Sequence, residues 1–97
     1  MEKVDLQELM WRIMRHVGPG TLFQRQDGAL VYDAPCKCGD DLCCDEVVLS
    51  PTKDRLVWTR MWGSMYFYDK WAFSKDGDVE YLGTVEEGCR FPPVMPE

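Results

Sequence analysis

Histidine is nearly absent: His16 is the only one in 97 residues. It stands at the end of a helix-like pattern, where histidine ordinarily serves as a C-terminal cation. The serines Ser50, Ser64 and Ser74 fall at turn-like stretches, with no Gly-x-Ser-x-Gly elbow. No glycine-rich phosphate loop is present. Catalysis needs a nucleophile or base beside a positioned partner, so these gaps point away from an enzyme. No run approaches the ~18 apolar residues of a membrane span. The opening stretch "MEKVDLQELMWRIM" lacks the basic head, apolar run and small-residue cleavage site of a secretion signal. The expected compartment is the cytoplasm, where thiols stay mostly reduced. An odd count of five cysteines excludes a complete internal disulfide framework.

Basic residues are also in short supply, with 11 Lys and Arg against 17 Asp and Glu and a net charge of −6. Nucleic acids and anionic membranes are bound by cations that neutralise phosphates, so neither is expected as a direct partner. The deficit is uneven. Residues 36–46 and 75–97 are strongly acidic, whereas residues 47–74 carry a small excess of bases. A basic protein surface is the natural complement.

What is present is enough to fold. Hydrophobic residues make up 45% and aromatics 12%, which excludes a disordered chain. Residues 1–97 are the length of one domain, able to bury about 60–65% of its unfolded surface. The stretch "DLQELMWRIMRHV", residues 5–17, places Leu6, Leu9, Met10, Ile13 and Val17 on one helical face. Asp5 and Glu8 have capping-box spacing, Glu8 and Arg12 can pair one turn apart, and "GPG" (Gly18 to Gly20) ends the helix. Strand patterns follow at 21–26, 29–34, 45–50, 55–62, 65–74 and 78–86, and an extended tail covers 88–97. Asp27-Gly28 and Asp76-Gly77 are two-residue hairpin signals. Gly63-Ser64 reads as a third turn, and "SPTKD" as a looser one. Every connection is too short for a parallel crossover. The fold class is therefore α+β: one N-terminal helix packed on an antiparallel meander of about five to six strands.

Two-residue turns at Gly63-Ser64 and Asp76-Gly77 would set Leu56 opposite Trp71, Trp58 opposite Asp69, and Trp71 opposite Leu82. One face would then hold Leu56, Trp58, Trp62, Met65, Phe67, Trp71, Phe73 and Leu82 beneath the helix, with Arg60 and Asp69 diagonal to one another. The opposite face would hold Val57, Met61, Tyr66, Tyr68, Ala72, Val79, Tyr81 and Val85. A simple two-layer sheet is polar there, and exposed contiguous apolar surface marks interaction sites.

"CKCGDDLCC", residues 36–44, packs four cysteines into nine positions. Closing a loop over Gly39 to Leu42 sets Cys36, Cys38 and Cys43 on one side and Cys44 on the other. Three thiols with Cys89, or with His16, make a possible zinc site, since zinc takes four such ligands at about 2.3 Å for sulfur. The spacing departs from the usual pair of C-x₂₋₄-C motifs. Redox chemistry is disfavoured because Asp40, Asp41, Asp45 and Glu46 raise a thiol pKa that only Lys37 lowers. The acids lack calcium-loop spacing. No cofactor is required.

The function expected is a small acidic protein-binding module, monomeric or homodimeric. Tyr66, Tyr68 and Tyr81 form its apolar centre. Its rim comprises Asp40, Asp41, Asp45 and Glu46, with Asp76, Asp78, Glu80, Glu86 and Glu87. Occluding a basic surface of a partner, such as a nucleic-acid-binding one, would make it a non-catalytic inhibitor. That is the character of phage-encoded anti-defence proteins such as anti-CRISPRs, and of immunity proteins. The alternative is a zinc-stabilised structural or recognition module built on Cys36, Cys38, Cys43 and Cys89.

Overall fold

A computed structural model of the chain describes residues 3–35, 44–61 and 68–84. The helix α1 (Leu6–Val17) is followed by six strands: β1 (Thr21–Gln24), β2 (Leu30–Pro35), β3 (Cys44–Leu49), β4 (Arg55–Met61), β5 (Tyr68–Ser74) and β6 (Val79–Thr84). They form one sheet in chain order, each antiparallel to the next. The fold is α+β, with the helix lying over β2, β3 and β4. The Gly63-Ser64 turn, strand residues 62, 65–67 and 85–86, and the tail 88–97 lie outside the described residues.

Local chemistry sets the helix ends. The Asp5 carboxylate accepts from the Gln7 and Glu8 amides at 3.1 and 3.2 Å, occupying donors that the first helical turn cannot use. Arg12 donates to Glu8 at 2.8 Å. Gly18 closes the helix at φ 93°, its amide donating to Met14 O, and the Tyr32 hydroxyl donates to the Gly18 carbonyl. The chain then passes so close to β2 that a Cβ on Gly20 would sit 2.2 Å from Asp33 O.

Leu6, Leu9, Met10, Ile13 and Val17 are buried as their spacing predicts. They meet Tyr32, Ala34, Val47, Leu49, Leu56, Trp58, Trp71 and Phe73 in one core. Each such side chain contributes about 1.5–3 kcal/mol when fully buried.

Both Asp-Gly hairpins depart from expectation, and in the same way. A two-residue type I′ turn needs positive φ at both central positions. Gly28 and Gly77 are positive, at 95° and 93°, but neither aspartate is. Instead Gly28 N–H donates to Arg25 O and Arg25 N–H to Ala29 O; Gly77 N–H donates to Ser74 O and Ser74 N–H to Asp78 O. Each is a three-residue connection closed by a left-handed glycine. In both, a turn side chain takes the amide just after the glycine: Asp27 Oδ1 accepts from Ala29 at 3.0 Å, and Ser74 Oγ from Asp78 at 3.2 Å.

The extra residue shifts register by one, which exchanges faces. Tyr81, not Leu82, lies opposite Trp71. Tyr81 therefore joins the helix side and packs against the core, while Leu82 is 41% exposed. The register slips back between Lys70 and Trp71, leaving Leu82 as the extra residue of a bulge. Between β4 and β5 the pairing lies two residues from expectation, with Trp58 opposite Trp71 and Arg60 opposite Asp69. A shift of two preserves faces, so Leu56, Trp58, Trp71 and Phe73 stand beneath the helix as predicted.

Candidate interaction surface

The pairing register assigns each described strand residue to one face. On the helix side, the row Ala34–Asp45–Arg60–Asp69 crosses β2 to β5. Its polar groups are occupied within the fold. Asp45, 8% exposed, accepts from the Trp58 indole at 2.8 Å and from Arg60 Nε at 3.0 Å. The Arg60 guanidinium also lies 4.9 Å from the Trp58 ring centroid, and His16 meets that ring edge-on at 6.1 Å. Asp69, 1% exposed, accepts from the Tyr81 hydroxyl at 2.8 Å. These buried carboxylates hold strands together, because each satisfies a donor that would otherwise be stranded away from water.

The open face is built differently. One row runs Phe23–Val31–Val48–Val57–Ala72 and ends at Glu80. Phe23 is 42% exposed, whereas Val31 and Ala72 are buried; Val48 and Val57 are half-buried. The next row runs Thr21–Asp33–Glu46–Thr59–Lys70. Beyond it lie Pro35, Cys44, Met61 and Tyr68, with Lys70 Nζ 5.6 Å from the Tyr68 ring centroid. An apolar stripe thus adjoins a charged one across the same strands.

Asp33 and Glu46 stand directly opposite one another. The Glu46 carboxyl is held above its ordinary pKa, first by partial burial and then by the Asp33 charge, against the opposing pull of Lys70. Among the described residues neither carboxylate closes an ion pair. Asp27 and Asp54, by contrast, are held below their ordinary values, by Arg25 and the Ala29 amide and by the Thr52 and Ser50 hydroxyls. Like charges directly opposite on a sheet are unfavourable, and Lys70 and Arg25 offset this pair only at a distance, without closing an ion pair to either acid.

The predicted site residues divide into four groups. Glu46, Tyr68 and Glu80 stand on the open face, Glu46 and Glu80 exposed and Tyr68 half-buried. Asp45 and Tyr81 belong to the helix side and are engaged there. Expected as a rim acid, Asp45 is instead covered, because Arg60 and Trp58 lie beside it across the strand pair. Asp40, Asp41, Tyr66, Glu86, Glu87, Cys36, Cys38, Cys43 and Cys89 lie outside the described residues. Asp76 and Asp78 are exposed near the last hairpin turn. Among the described residues no group of three His, Cys, Asp or Glu is placed to hold a metal ion, and no helix is long and apolar enough to cross a membrane.

Asp33, Phe23 and Val48 were not apparent as surface partners from sequence. Their strand patterns were visible, but the β1–β2 register that aligns Phe23 with the valines depends on the turn. No family model, curated protein or solved structure matches the chain.

Proposed function

We propose that the chain is a non-catalytic protein-binding module whose open sheet face docks on a basic protein surface. The observation that carries this is the juxtaposition on one face of the apolar row from Phe23 to Ala72 with Asp33, Glu46 and Glu80. Phe23 with the half-buried Val48 and Val57 supplies apolar contact area, and the carboxylates at their margin select cations and speed encounter. The net charge of −6 adds a long-range field of the same sign. Occlusion of a partner's basic groove, as by anti-defence or immunity inhibitors of phage type, is the activity best served by such a face in the cytoplasm. A zinc-held recognition loop remains the second reading, resting on Cys36, Cys38, Cys43 and Cys89.

The test is affinity capture on immobilised chain, run in parallel with the double variant Asp33→Lys, Glu46→Lys after circular dichroism has shown that it is folded. A protein retained by the wild type, lost from the variant and released by moderate salt is the expected result. Equal retention of the same proteins by both chains would remove the open face from the function.

A further inference from the structure

The two edges of the sheet are not alike. Exposed sheet edges invite pairing with another chain, and proteins guard them with charge, proline, bulges or very short strands. The outer strand β6 is guarded: Asp78 and Glu80 flank its start, and the bulge at Leu82 breaks its ladder. The outer strand β1, "TLFQ", is short but carries no charge, no proline and no bulge. All four of its residues are exposed. Leu22 and Phe23, each 42% exposed, point to opposite faces.

The backbone of β1 is poised for pairing. Arg25 N–H donates to Ala29 O, so by alternation Phe23 and Thr21 turn their amides toward β2 while Leu22 and Gln24 turn theirs outward. We propose that the chain pairs with a second copy of itself through β1, edge to edge and antiparallel, joining two six-stranded sheets into one.

A second copy suits this edge because β1 itself carries no charge that would select a foreign partner. Arg25 and Asp27 are already paired to each other at 2.8 Å. A two-fold axis sets the same uncharged strand against itself, with Leu22 opposite Leu22 or opposite Gln24 of the second copy. Neither register places like charges opposite one another. The Leu22–Gln24 register sets Phe23 opposite Phe23, extending the apolar row of the open face from one sheet into the next. On the helix side, a largely apolar groove lined by Trp11, Met14, Pro19 and Tyr32, with Arg15 also in its lining, lies beside the same edge. Trp11 there is 48% exposed. Pairing at β1 therefore draws on three of the five large exposed apolar side chains among the described residues, Trp11 and Leu22 on the helix side and Phe23 on the open face. This association shares Phe23 with the docking face proposed above but does not require Asp33 or Glu46, so the Asp33→Lys, Glu46→Lys variant distinguishes the two.

Sedimentation equilibrium of the full chain, under reducing conditions to exclude disulfide dimers, tests it. The wild type is expected to show a concentration-dependent dimer mass. The Leu22 and Gln24 amides should gain hydrogen-exchange protection as concentration rises. Leu22→Lys installs the missing edge charge and should weaken the dimer about tenfold or more, while Leu82→Lys at the other edge should leave it intact. Circular dichroism shows whether each variant is folded. A monomer at all concentrations would overturn the proposal, as would a dimer of unchanged strength in folded Leu22→Lys or edge amides protected only when another protein is bound.

Discussion

Asp45 and Glu46 are neighbours in sequence and opposites in circumstance. Asp45 points beneath the helix, where the Trp58 indole and Arg60 both donate to it. Glu46 points to the open face, where it meets Asp33. The first carboxylate is satisfied by groups the fold provides, and the second is opposed by one. The two faces of this sheet thus hold the same kind of side chain in different surroundings, and alternation along β3 separates them.

The contrast can be tested by removing one acid at a time. The largest effect is expected from Asp45→Ala, which strands the Trp58 indole N–H in the core and leaves Arg60 without its counter-charge. The expected loss is about 3–5 kcal/mol in urea unfolding, and a loss below ~1 kcal/mol would place Asp45 with the surface acids. Tyr81→Phe comes next. It removes a donor to buried Asp69 and should cost about 1–3 kcal/mol by the same measurement.

Glu46→Gln should act in the opposite direction. The folded pKa of Glu46 lies above its ordinary value of 4.5. Its contribution to stability is therefore complete below the ordinary pKa and is lost as pH rises through the raised one. Glutamine stays neutral at every pH and escapes that loss. The variant should be more stable than wild type at pH 7 by up to about 1 kcal/mol, with the difference closing in acid below the ordinary glutamate range. Urea midpoints at the two pH values check this, and a destabilised variant at pH 7 would show that Glu46 is satisfied by the fold after all.

How much of this was legible in the sequence varied with the distance over which the physics acts. The helix was legible in full, because its apolar spacing, the Asp5 cap and the Gly18 stop are all local. The strands and their antiparallel order were legible from alternation and short connections. The faces of Leu56, Trp58, Trp71 and Phe73 followed even though the register was off by two, since a shift of two does not exchange faces. The places of Tyr81 and Leu82 were not legible. Asp-Gly serves both a two-residue and a three-residue connection, and here the three-residue one forms, with Ser74 Oγ accepting from the Asp78 amide. The extra turn residue places Tyr81 on the other side of the sheet.

The sequence by itself determined a helix on an antiparallel meander, the core stripe of that helix, and an excess of negative charge. Those follow from periodicity and composition, which act over a few residues. Only the tertiary structure decided which acids are structural and which are uncompensated. Asp45 finds its donors 13 and 15 residues away, at Trp58 and Arg60, and Glu46 finds Asp33 across β2. Which side chains meet across a sheet depends on register, and register is set by hydrogen bonds in the turns, which residue pattern alone does not specify.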